Sequence, residues 1–203
     1  MELWISTSNK GKLGEYQILL EGKIDNLKIH SSGELKTFAS PPETGKTFEE
    51  NARIKARTMK AVKPGVWVIG EDSGLEVTAL GGNPGIFSAR YGGPHARDSE
   101  NRAKVIKMLQ VKGATDRSAQ FKLALVAYSP TGEEFVFEGI LKGQISKTEK
   151  GQMGFGYDSI FIPEENNPEG KTLAEMGPGP KNKISHRAKA AAQLIAKVQS
   201  LNS

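Results

Sequence analysis

Residues 119–129 and 134–146 form two long runs rich in strand-forming side chains, joined across Pro130, Thr131 and Gly132. Two such runs around a proline-glycine turn read as a β-hairpin. A chain holding this hairpin must build a sheet with antiparallel pairing. Before it, short apolar runs alternate with helix-like segments, the pattern of parallel strands joined by crossover helices. Together these two demands predict an α/β fold with a mixed central β-sheet flanked by helices.

The remaining punctuation fits that plan. Residues 2–7 read as a first strand, followed by Ser8 and Asn9 as helix-start residues. Leu13, Tyr16, Ile18, Leu19 and Leu20 give the next segment a rough helical stripe. Residues 27–30 read as a second strand, and residues 40–45 as a loop with two prolines. Thr47 and Glu50 have capping-box spacing, so a helix should run to about residue 62, with Pro64 and Gly65 ending it. Residues 66–70 are expected to be a strand ending at Glu71, with another short strand over residues 76–80. A glycine-rich loop over residues 81–93 leads to a helix over residues 99–109. A second glycine-rich loop, residues 151–158, precedes a short strand over residues 160–163. The last helix should start near Ser185, with Ala188, Ala191, Ala192, Ile195 and Val198 on one side.

No repeat, low-complexity tract or dividing linker interrupts the 203 residues, so one domain over 1–203 is expected. The chain has no cysteine, which excludes disulfides, thiolate metal sites and a cysteine nucleophile. No secretion signal or membrane-length apolar run is present, so a cytoplasmic protein with no membrane partner is expected. The net charge of +5 suits a polyanionic ligand or a solvated basic surface. Its lysines and arginines are dispersed and aromatics make up only 7%, so no stable nucleic-acid complex is expected.

Five segments carry candidate chemistry. Thr7, Ser8, Asn9, Lys10, Gly11 and Lys12 lie where a strand hands over to a helix. Free N–H groups and the helix dipole favour an anion there, although the segment also reads as a capped helix with two solvated lysines. Glu71 and Asp72 place adjacent carboxylates beside a buried strand, which calls for a cation partner. Oxygen donors suit magnesium, while Asp72, Ser73 and Gly74 also form ordinary turn chemistry. Glu43 has no evident structural duty, whereas nearby Glu50 has its cap; Asn51 follows it. Phe155 between glycines, followed by Tyr157 and Asp158, suits stacking against a flat ligand or packing beside a bulge. Lys181, His186 and Arg187 set cations near a helix start, which a bound anion or acceptor would explain and solvent also accommodates.

Taken together, the segments at 7–12, 47–52, 71–77, 79–91, 154–158 and 185–187 resemble the inosine/xanthosine triphosphate pyrophosphatases, the Ham1-like family, in the family's order. The resemblance implies two lobes with an active-site cleft between them, on an elongated sheet. It implies hydrolysis of non-canonical purine nucleoside triphosphates (ITP, dITP, XTP) to the monophosphate and pyrophosphate, with Mg2+ as cofactor and a homodimeric assembly. By matched position, Asp72 becomes the general base and a metal ligand, and Glu43 the other metal ligand. Thr7 to Lys12 would hold the triphosphate and Ser73 would touch the substrate. Phe155, Gly156, Tyr157, Asp158, Lys181, His186 and Arg187 would line the nucleoside pocket. The chain departs from the family pattern in having Glu71 where Asp is usual and Ser159 where Pro is common.

Overall fold

A computed structural model describes residues 1–202. Strand β1 (Glu2–Ile5) is followed by helix α1 (Lys10–Leu20) and strand β2 (Lys28–Ser31). Helix α2 (Phe48–Val62) leads into the long strand β3 (Trp67–Val77). Helix α3 (Asp98–Val111) precedes the long strands β4 (Ser118–Tyr128) and β5 (Glu134–Ile145), and β6 (Phe161–Pro163) follows. Helices α4 (Leu173–Met176), α5 (Pro178–Ile184) and α6 (His186–Asn202) complete the described chain.

One six-stranded sheet has the order β2-β1-β3-β4-β5-β6. β1 pairs in parallel with both β2 and β3, while β6 pairs antiparallel with β5. The sheet is therefore mixed. The turn after β4 closes as expected, with the Ser129 amide donating to the Glu133 carbonyl at 2.9 Å. Leu3, Trp4 and Ile5 are all buried in succession, the pattern of an interior parallel strand covered on both faces.

The residues group into two compact units, each discontinuous in sequence. Among the described residues, the first comprises 1–72, 123–139 and 187–202, and the second 73–122 and 140–186. Strands β3, β4 and β5 each give one end to each unit. The first unit has its own core: Tyr16 and Leu20 of α1 and Ala190, Ala191, Leu194 and Val198 of α6 meet Leu3, Ile5, Ile69 and Leu123 of the sheet. The second gathers Leu75, Val77, Phe121, Leu141 and Phe161 from the strands with Val105 and Leu109 of α3. Among the described residues, no helix is long and apolar enough to cross a membrane.

Two expectations need correction. The strand expected to stop at residue 70 continues to Val77, so Glu71 and Asp72 lie within β3 rather than at its mouth, and residues 78–80 form a 3-10 turn. The strand passes through because the two carboxylates are paired with cations, Arg187 buried and Lys12 and Lys55 partly so, as described below. The glycine-rich stretch over residues 81–93 contains a 3-10 helix, Gly85–Arg90. Two short helices, α4 and α5, form over residues 173–184, a stretch to which the sequence assigned no element. Pro178 stands at the first turn of α5, where its missing N–H is harmless, and Thr172 and Glu175 form a capping box for α4.

Candidate active site

In the first unit the site begins with a close approach. A methyl group at Gly70 would press on the Ala52 carbonyl and the Ala56 amide, so only glycine lets α2 lie directly on β3 there. Asn51 and Lys55, four residues apart, share that face of α2. Both reach Asp72. The Asn51 amide Nδ2 donates to Asp72 Oδ2 at 3.1 Å, and Lys55 Nζ donates to Asp72 Oδ1 at 2.8 Å. The same ammonium lies 2.6 Å from Glu43 Oε1. Two carboxylates distant in sequence thus share one cation.

Burial pushes the Asp72 carboxyl up; Lys55 pulls it back and the charge of Glu43 adds to the rise, leaving it above the ordinary range. For Lys55, burial opposes the charge, but Asp72 and Glu43 outweigh it and hold the ammonium protonated.

Glu71 faces a different set. Its Oε2 accepts from the Tyr16 hydroxyl at 2.6 Å and from Arg187 Nε at 2.8 Å. Its Oε1 lies 2.8 Å from both Arg187 Nη2 and Lys12 Nζ. Arg187 is 1% exposed, and its Nη1 also pairs with Glu15. Burial alone would keep Glu71 neutral; Arg187 and Lys12 reverse that and hold its carboxyl well below the usual range. Glu71 and Asp72 are adjacent, yet each has its own cations.

The expected phosphate-binding segment sits at the start of α1. Asn9 caps the helix, its Oδ1 accepting from the Lys12 amide at 3.0 Å, and Thr7 Oγ1 accepts from the Asn9 amide at 3.1 Å. Ser8, Asn9 and Lys10 are exposed, Thr7 and Gly11 partly so. A capped helix start with exposed neighbours is a ready anion site.

The second unit holds the remaining candidates. Lys181 Nζ donates to Asp158 Oδ2 at 2.5 Å and stands 4.6 Å from the centre of the Phe155 ring. Asp158 Oδ2 also accepts from the Phe155 amide at 3.0 Å. A Cβ at Gly154 would collide with the Asp158 carboxylate, so glycine there lets the loop fold tightly over it. The Gly156 amide donates to Asp98 Oδ2 at 2.7 Å, and its carbonyl accepts from Arg102 at 2.8 Å. The Tyr157 hydroxyl donates to the Ser88 carbonyl at 2.7 Å, making that ring a buried support for the loop. His186 stacks on Phe121, centroids 4.8 Å apart. Ser73 is half-buried in β3.

The structure therefore brings Glu43 to Asp72, Lys12 and Arg187 to Glu71, and Phe155 to Asp158 and Lys181. His186 and Arg187, expected to act side by side, belong to different units, and the Arg187 guanidinium is engaged by Glu15 and Glu71. That arrangement favours an organising role over a nucleoside contact. Sequence reasoning missed Lys55, Glu15 and Tyr16. Lys55 carried a usable signal, since it follows Asn51 by one helical turn on the face opposite Glu49 and Arg53. Glu15 and Tyr16 carried none, because the stripe of α1 marks only which side is buried.

A sequence profile described as the Ham1 family matches residues 3–197. The chain is 52% identical to a protein named dITP/XTP pyrophosphatase from Bdellovibrio bacteriovorus, over the full length of both. It is 42% identical to one of the same name from Bacillus licheniformis, over 96% of each chain. Its fold matches a HAM1 protein from Coxiella burnetii with a TM-score of 0.85, 35% identity and coverage of 98% of this chain and 99% of that one. The Ham1 protein of Staphylococcus aureus matches with a TM-score of 0.83, 36% identity and the same coverage. On the family profile and the full-length likeness, this chain belongs to the Ham1 family.

Proposed function

We propose that this protein is a nucleoside triphosphate pyrophosphatase acting on non-canonical purine nucleotides, with ITP, dITP and XTP as substrates and the monophosphate and pyrophosphate as products. The reading draws on the names of its full-length relatives. The observation that carries it is the buried carboxylate Asp72, gathered with Glu43 around the single ammonium of Lys55.

Magnesium fits this donor set. Glu43 Oε1 and Asp72 Oδ1 already face one cation at 2.6 and 2.8 Å, and both are hard oxygen donors. Magnesium commonly binds through one or two carboxylates plus substrate phosphates. Glu43 and Asp72 would hold it, and when bound it neutralises charge on the departing pyrophosphate.

The chain's own residues supply the rest. Asp72 accepts the proton of a water that attacks the α-phosphorus. The bond from that phosphorus to the bridging oxygen of the β-phosphate breaks, and pyrophosphate leaves with the electron pair. Asn51 and Lys55 hold the Asp72 carboxylate by both oxygens, so it is oriented before substrate arrives. Lys12 and the first-turn amides of α1 receive the triphosphate. Phe155 offers a stacking face for the base, and Lys181 and His186 offer donors for the 6-oxo group that hypoxanthine and xanthine share. Adenine presents a 6-amino group instead and leaves such donors unpaired, a basis for rejection. The protein is further proposed to act as a homodimer in the cytoplasm.

Turnover of ITP in 18O-labelled water tests the reaction class. Label in the monophosphate, with pyrophosphate unlabelled, is expected. Label in inorganic phosphate, with a diphosphate as co-product, would overturn it.

A further inference from the structure

Asn51 is fully buried, at 0% exposure, and both ends of its amide are engaged. Nδ2 donates to Asp72 Oδ2 at 3.1 Å, and Oδ1 accepts the Gly45 backbone N–H at 2.8 Å. Only one orientation of the amide satisfies both, since a carboxylate needs a donor and an N–H needs an acceptor. The side chain therefore ties β3 to the loop over residues 41–46, which carries Glu43. The loop side shows the same fit. A Cβ at Gly45 would stand 2.7 Å from Asn51 Oδ1 and 2.7 Å from the Glu50 Cβ, so no larger residue lets the loop come this close.

Resting on the pyrophosphatase reading, we infer that Asn51 is a positioning residue that latches the Glu43 loop to Asp72. The segment that carries Glu43 has other contacts as well: the Thr44 amide donates to the Pro42 carbonyl, and the Lys46 amide to Glu50 Oε2 at 2.6 Å. Both lie within the loop or at the start of α2, and neither reaches Asp72. The Lys55 ion pairs pull the two carboxylates together by charge, but an ammonium on a flexible stem imposes little direction. The planar amide of Asn51 sets direction and distance. Its work is to hold the loop so that both carboxylates present oxygens to one cation.

The two ends of the latch separate in variants. Asn51→Leu removes both. Asn51→Asp keeps an acceptor for the Gly45 amide and loses the donor to Asp72. Gly45→Ala presses on Glu50 and Asn51 and pushes the loop away, with no residue of α2 or β3 replaced. Hydrogen exchange of the Gly45 amide reads the latch without catalysis, and Mn2+ binding to the nucleotide-free protein reads the carboxylate pair. Exchange at Gly45 should speed in Asn51→Leu and stay slow in Asn51→Asp. Both Asn51→Leu and Gly45→Ala should weaken Mn2+ binding about tenfold, the scale on which partners behind metal ligands act. ITP turnover should need correspondingly more magnesium, while KM for ITP at saturating magnesium moves little. Unchanged Gly45 exchange and unchanged Mn2+ affinity in Asn51→Leu would overturn the latch, even with the wild type fully active. A wild type that releases no pyrophosphate, with Gly45 exchange and Mn2+ binding still coupled to Asn51, would instead overturn the pyrophosphatase reading and leave the latch standing.

Discussion

The two units bury charge in opposite ways. The first encloses Glu15, Glu71, Asp72 and Arg187, with Lys12 and Lys55 at its margins. The second encloses the ion pair of Asp158 with Lys181 beside Phe155 and stacks His186 on Phe121. Dense, mutually compensated charge suits a triphosphate and its hydrolysis, where each carboxylate must stay ionised and aimed. Sparse polar groups among rings suit a flat base, recognised by a few donors. On the proposed function, the charge-rich unit would carry the hydrolysis and the ring-rich unit the choice of base.

Breaking the charge-rich side should give the largest effects. Asp72→Asn removes the proton acceptor but keeps the shape, so turnover of ITP should fall by roughly a thousandfold. The far-ultraviolet circular dichroism and melting midpoint should stay near wild type. Near-normal turnover in that variant would remove Asp72 as the base.

Arg187→Met should act on folding rather than on base choice. It strands Glu15 and Glu71 in the interior without their shared cation, a loss of about 3–5 kcal/mol in urea unfolding. A variant as stable as wild type, with altered base preference, would return Arg187 to the nucleoside side. The pH dependence carries the same signature. Folded Glu71 holds its proton more weakly than an unfolded glutamate does, so the unfolded state binds more protons. Its contribution to stability is complete above the ordinary carboxylate range and fades as pH falls below it toward the folded value. Urea midpoints should therefore drop on acidification in wild type and drop less in Glu71→Gln, which starts lower.

The smallest effect belongs to the ring-rich side. Lys181→Met should reduce kcat/KM for ITP about tenfold, the scale of one lost hydrogen bond to a buried acceptor. ATP, lacking the acceptor, should change little, so the ratio of the two rates is the sharper readout. An equal loss on both nucleotides would recast Lys181 as a support for the Asp158 loop alone.

Much of this organisation was legible in the sequence. The hairpin, the alternation before it and the Thr47 cap all follow local rules that the tertiary structure respects. The site residues were legible as types: carboxylates beside an apolar strand, an aromatic between glycines. What stayed hidden was pairing. Nothing local distinguishes a Glu71 that continues a strand from one that ends it, because the deciding cation, Arg187, lies more than a hundred residues away in the chain. Arg187 itself reads as an exposed cation at a helix start, and only burial against Glu15 and Glu71 gives it another duty. Helices α4 and α5 were missed because proline and glycine read as breakers unless the helix boundary is known beforehand.

On the proposed function, charge chemistry in one unit and base choice in the other serve one substrate class. A pyrophosphate-release assay with magnesium, run side by side on ITP, dITP, XTP, ATP and GTP, tests it most directly. Fast release from the first three is expected, with a rate on ATP lower by about a hundredfold. Comparable rates on ATP and ITP would contradict it.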